Sequence, residues 1–235
     1  EIKTLGGRSV TVTESKSLLI WNEDKQGLYE ELTPNIKVGD RVPVTMELGG
    51  HAPAIVFDDA DVDVASKLLA GAKYRNAGQV CVSPTRFLVQ EGVYNKFVEN
   101  FVAHSKALKV GDGLESGTQM GPLANPRRIG AMEGFIADAV QHGGKVQTGG
   151  KRIGNKGNFF EPTVLTDVPL DAKVQNDEPF GPLAIISPFK TFDDVVTEAN
   201  RLPFGLASYA YTRSAKTANL IAAEVEAGMM SINHH

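Results

Sequence analysis

The chain has 235 residues, 42% of them hydrophobic and 22% charged, with a formal net charge of −4. That length buries a substantial core, no apolar run approaches the roughly 20 residues of a membrane helix, and the scattered basic residues do not form the positive footprint of a nucleic-acid binder. One cysteine, Cys81, excludes an intramolecular disulfide framework and a zinc site built on several thiolates.

A lone cysteine fits a reducing compartment. The start, EIKTLGGRSV, has neither the basic beginning nor the apolar core of a signal peptide, so a cytoplasmic location is expected. The missing initiator Met suggests processing, or a piece of something longer.

Residues 1 to 44 read as a small all-β segment. RSVTVTES alternates with period two, SLLIW stays extended, NEDKQG (22–27) is a polar turn, and IKVGDRVPV is a further short strand. From residue 45 to 235 the rhythm changes to short apolar strands alternating with amphipathic helices. PAIVF (53–57) is a buried strand, followed by a helix with Val62, Ala65, Leu68, Leu69 and Ala72 on one face. RFLVQ (86–90) precedes a helix carrying Val93, Phe97, Val98 and Phe101, and the glycine-rich 109–126 stretch lacks the lysine and spacing of a phosphate loop, so it is read as a long ordered connection.

The clearest helix runs from about Asn125 to Gln141, with Ile129, Met132, Phe135, Ile136, Ala139 and Val140 as its stripe and Gly143-Gly144 as its stop. PLAIISPF (182–189), a helix capped by Thr191, SYAYT (208–212), and a last helix bearing Ala218, Ile221, Ala222 and Val225 repeat the unit before MMSIN. The expected fold class is therefore α/β: one largely parallel sheet flanked by helices, with a short all-β N-terminal segment.

Three places could do chemistry. Cys81, in NAGQVCVSPTRF, is either a small buried hydrophobe or a nucleophile. A thiol with an ordinary pKa near 8.5 is only a few per cent thiolate at pH 7, so the second role needs a positive field or a nearby base. Glu47, in MELGGH, is either a solvated strand-end carboxylate or, between Met46 and Leu48, a carboxylate in a poorly solvated cleft poised as a general base. Glu178 and Phe180 lie in EPFGP, where two prolines stiffen a turn that is otherwise a plain connection. His51, His104 and His142 have no metal-ligand spacing, so no metal is assigned, and His234-His235 read as a tail or tag as readily as anything functional.

Taken together, MELGGH, then NAGQVC, then EPFGP resemble the aldehyde dehydrogenase family, and the likeness runs almost continuously over 43–235 through HAPAIVFDDADVD, MGPLAN, FFEPTVL, NRLPFGLASYAYT and GMMSIN. HAPAIVFDDADVD and GQVCVSPTRF are most similar to the succinate-semialdehyde group. The resemblance implies that Cys81 attacks an aldehyde, that hydride passes to NAD or NADP, and that Glu47 activates water to hydrolyse the resulting thioester. It further implies that the Cys81 backbone amide forms part of the oxyanion site, and that Glu178 binds the nicotinamide ribose with Phe180 beside it.

In that family a dinucleotide-binding domain and an oxyanion-site asparagine precede the ELGG motif, and a segment that helps form homo-oligomers follows the last strand. None of the three is expected here, so cofactor binding by this chain alone is expected to be weak, and whether it forms a homo-oligomer is left open. An inactive chimeric or structural module is the competing reading. Residues 1–42 resemble the inner portion of an intein or Hint-type splicing domain, with Lys16 where that family places an activating histidine; no splicing activity is expected, and a plain β extension is the alternative.

Overall fold

The computed structural model describes residues 49–234, together with the backbone of four short strands nearer the N-terminus. The chain divides into two compact units, Glu1–Glu47 and Leu48–His235. In the first, β1 (Ile2–Lys3) pairs antiparallel with β2 (Ser9–Val10), and β3 (Ser17–Asn22) pairs antiparallel with β4 (Gly27–Leu32).

The second unit holds a seven-stranded sheet. In chain order its strands are β5 (Ala52–Val56), β6 (Pro84–Gln90), β7 (Lys145–Thr148), β8 (Thr163–Thr166), β9 (Leu183–Phe189), β10 (Ser208–Tyr211) and β11 (Met230–Ile232). Their spatial order is β11-β10-β5-β6-β9-β8-β7. Every pairing is parallel except β7 with β8 at one edge. The α/β class with a largely parallel sheet is as expected, and the antiparallel edge strand is a detail that the alternation did not reveal.

Strands covered on both faces carry apolar residues at successive positions rather than alternately. In β5, Ala54 and Val56 face one side with Phe87 and Val89 of β6, and pack with α1 (Val62–Tyr74), α2 (Glu91–Lys106) and α3 (Pro126–Gln141). The neighbouring positions Ile55 and Leu88 face the other side. They pack with Val195 of α5 (Phe192–Ala199) and Ile221 of α6 (Ala215–Glu224). A short helix, α4 (Lys173–Asn176), precedes β9.

Side chains cap two helix starts, the expected one at Thr191 and one at Asp61 that the sequence reading did not name. The Asp61 side chain accepts from the Val64 N–H at the start of α1, and Thr191 and Asp194 form a reciprocal capping box at α5. Two residues expected to face inward do not. Val140 is 49% exposed because the inward face of α3 is set by Ile129, Met132, Ile136 and Ala139, and Ala222 is exposed beside the buried Ile221 of α6.

Candidate active site

Gly49-Gly50 precede β5, Cys81 precedes β6, Glu178–Gly181 precede β9, and Phe204 precedes β10. Because these four strands run parallel, all four segments emerge at the amino ends of the strands. Open α/β sheets more often bind ligands at the carboxyl ends; here the chemistry-bearing residues gather at the opposite edge.

The loop that carries the cysteine is built by local strain. After α1 a 3₁₀ turn, Arg75–Gly78, places Asn76, Ala77 and Gly78 successively at φ +51, +52 and +69. Left-handed backbone disfavours side chains bearing a Cβ, and such strain persists only where the surroundings hold it. Here Asn76 and Gln79 exchange hydrogen bonds, Asn76 Nδ2 to the Gln79 carbonyl and Gln79 Nε2 to the Asn76 carbonyl, each at 3.1 Å. Gln79 Oε1 also accepts from the Ala124 N–H at 2.8 Å, tying the loop to the MGPLAN segment. Cys81 follows, partly exposed and free of any disulfide. Tyr209 of β10 donates its hydroxyl to the Val82 carbonyl at 2.6 Å, closing the loop from the other side.

Two contacts of bare backbone join this loop to the other motifs. A Cβ at Gly50 would collide with the Cys81 carbonyl, and one at Gly78 would collide with the Gly181 carbonyl, so neither position admits a side chain. The three motifs that the sequence offered separately therefore meet through glycines. Glu47 lies outside the described residues, three positions before Gly50.

Glu178 is half-buried, and burial raises its carboxyl above the ordinary range, against the Gly50 N–H, Lys73 and Arg128, which favour its charged form. Its Oε2 lies 3.6 Å from where a Gly49 Cβ would stand, and Gly49 is exposed. Bare backbone beside an acceptor carboxylate is a donor-seeking surface that fits the hydroxyls of a sugar. Phe180 is 39% exposed at φ +42, and its carbonyl accepts from Arg128 at 3.3 Å. Arg128 also donates to the Pro179 carbonyl. EPFGP is thus held from α3, and Gly181 lies against the Met132 side chain of the same helix.

Sequence reasoning missed Lys73, Arg75, His51 and Tyr209. Lys73 is fully buried under the cysteine loop, where desolvation lowers its pKa to about 7 against the attraction of Glu178. Arg75 is exposed at the end of α1, with no ion-pair partner among the described residues. Its charge reaches the Tyr209 phenol, as does that of Cys81, so the three side chains share one neighbourhood. His51 is buried, its Nε2 3.0 Å from the Val174 carbonyl and its pKa pushed down to about 3 by burial and by Arg86. The helical phase of α1, in which Val62, Ser66, Leu69 and Lys73 recur at three and four, was the available signal for Lys73.

Residues 31–235 match the aldehyde dehydrogenase family. The chain belongs to that family. The match begins inside the stretch 1–42 for which the sequence offered a different likeness. Among curated relatives, the chain is 44% identical over 206 residues to an Escherichia coli succinate-semialdehyde dehydrogenase [NADP(+)], covering 88% of this chain and 42% of that protein. It is 47% identical over 206 residues, with the same coverage, to a Pseudomonas putida glutarate-semialdehyde dehydrogenase.

The crystal structure of succinate-semialdehyde dehydrogenase from Burkholderia pseudomallei superposes with a TM-score of 0.79 at 47% identity, over 81% of this chain and 39% of that one. The chain therefore spans about two fifths of the length of the relatives it matches. Among the described residues no helix is long and apolar enough to cross a membrane, and no group of His, Cys, Asp and Glu could hold a metal ion.

Proposed function

We propose that this chain is the catalytic portion of an NAD(P)-dependent semialdehyde dehydrogenase, with Cys81 as the nucleophile. The observation that carries the reading is the convergence of Gly50, Cys81, Gly78 and Gly181 through backbone contacts, with Cys81 itself partly exposed. The Cys81 thiolate forms a bond to the aldehyde carbon, and the carbonyl oxygen takes the negative charge. Among the described residues the Cys81 N–H has no backbone acceptor, so it is available to that oxygen.

The cofactor supplies the acceptor for the hydride that leaves the same carbon, converting the adduct to a thioester. Glu178 and the exposed Gly49 backbone would hold its ribose, with Phe180 alongside. Glu47 then removes a proton from water as the water oxygen attacks the thioester, and the thiolate departs with the carboxylic acid released. Splitting the oxidation in two exploits a sulfur that is both a strong nucleophile and a good leaving group.

Arg75 gives the substrate its class. A semialdehyde of a dicarboxylic acid ends in a carboxylate, and an exposed guanidinium with no ion-pair partner among the described residues, in the neighbourhood of Cys81 and Tyr209, is a matching partner. Relatives named for succinate and glutarate semialdehyde agree with that chemistry.

The test needs no cofactor, because acyl transfer from an activated ester to a thiol involves no hydride. Wild type is expected to hydrolyse 4-nitrophenyl acetate and mono-4-nitrophenyl succinate, releasing nitrophenolate, and Cys81→Ala to lose both. Arg75→Gln is expected to lose about tenfold against the succinate ester and little against acetate, the discrimination of one charged hydrogen bond. Equal rates in wild type and Cys81→Ala would remove the nucleophile and leave the reading of an inactive module.

A further inference from the structure

Lys73 is wholly buried beside the cysteine loop, and the chemistry above does not use it. Its Nζ lies 3.4 Å from Ser83 Oγ, and the Ser83 hydroxyl donates back to the Lys73 carbonyl at 3.3 Å. A Cβ on Gly78 would come within 3.1 Å of the same Nζ, on the side where Gly78 meets the Gly181 carbonyl. The ammonium group therefore sits under the junction of the two loops, directly below the turn that presents Cys81.

Of three N–H donors, one is used among the described residues, and at long range. An ammonium this dry and this poorly satisfied costs fold stability. Its titratable neighbours are Glu178, half-buried and attracting it, and His51, held neutral; Arg128 acts on Glu178 as well.

We propose that Lys73 is a positioning residue of this site, fixing the cysteine loop through Ser83 beneath the place where Gly78 meets the Gly181 carbonyl, at a cost to the stability of the fold. It touches no reacting atom. With a pKa brought down to about 7, the group loses its charge in the middle of the working range. A positive charge there favours negative charge on the loop it supports. The inference deepens the reading of Cys81 and Glu178 as parts of one site, but its test requires no turnover.

The measurement is the rate of Cys81 alkylation by iodoacetamide, followed by intact mass between about pH 5.5 and 9, with thermal unfolding alongside. Wild type is expected to show an inflection near neutral pH in addition to that of the thiol. Lys73→Met is expected to lack it, and to be alkylated at least about threefold more slowly than wild type below pH 7. The same variant is expected to unfold at an equal or higher temperature, because Glu178 keeps Arg128 and the Gly50 N–H as partners. In Glu178→Gln the inflection is expected to move to lower pH, since the carboxylate raises the lysine's pKa.

Superimposable profiles for wild type and Lys73→Met would overturn the proposal, as would a Lys73→Met chain that unfolds at lower temperature or fails to fold. In that last case the Glu178→Gln profile still decides the pH claim. Because alkylation needs only a thiol, these failures would leave Cys81 standing as nucleophile, and loss of that role would be seen instead as undiminished ester hydrolysis by Cys81→Ala.

Discussion

His51 stands next to Gly50 and so bears on the site, yet its chemistry concerns stability. Its pKa falls from 6.5 to about 3 on folding, chiefly through burial. A base with a depressed pKa binds its proton more readily in the unfolded chain, so stability is complete above about 6.5 and is lost as pH falls towards 3. Each pKa unit is worth about 1.4 kcal/mol, which makes this one side chain a several-kcal/mol contributor to acid unfolding. Urea unfolding across that pH range is expected to show a stability slope in wild type that flattens in His51→Phe. An unchanged slope would mean that His51 is not held neutral. Lys73 acts in the same direction at higher pH: its stability cost is complete below about 7 and is relieved as pH rises towards 10.5. Cys81, Glu178 and Phe180 could be named as candidates from the sequence because each sits in a short motif bounded by glycine or proline. Lys73 was not, because a lysine in sequence reads as solvated, and only the phase of its helix places it inside.

At the level of elements, one buried guanidinium ties the sheet to the helix end nearest the site. Arg86 of β6, in the middle of the sheet, donates to the His51 carbonyl at 3.1 Å and to the Glu198 and Ala199 carbonyls at the end of α5 at 2.8 and 3.0 Å. It also pairs with the Glu198 carboxylate at 3.2 Å. The last carbonyls of a helix lack partners within it, and a cation there also meets the negative end of the helix dipole. Arg86→Met is expected to cost about 3–5 kcal/mol, because the His51, Glu198 and Ala199 carbonyls lose their buried donor, while the Glu198 carboxylate keeps Arg201 at 2.8 Å. Denaturant unfolding measures it, and a loss below about 1 kcal/mol would show the pair to be surface-like. Long periodic helices such as α3 were readable from their stripes. The strands β7 and β8 were not: each has four residues, and Gly149, Gly150, Gly154 and Gly157 between them hide any alternation.

For the molecule as a whole, the described sheet has a protected middle and unequal edges. β5, β6 and β9 are covered on both faces, whereas β7 is antiparallel, at the edge, and mostly exposed. Hydrogen exchange is expected to be slowest in β5, β6 and β9, and at least about a hundredfold faster in β7, as local opening requires little of the core. Uniform protection across all seven strands would contradict that picture. The α/β class could be read from the recurrence of strand and helix alone, whereas the placing of the site at the amino ends of the strands could not, because it depends on which loops meet.

The meeting of Gly78 with Gly181 has a mechanical consequence. Main chain rests on main chain there, with no side chain to bend and absorb displacement. On the proposed reading, a sugar gripped or released at Glu178 would nudge the sulfur-bearing turn directly, so that grip at one segment and aim at the other could not be adjusted independently.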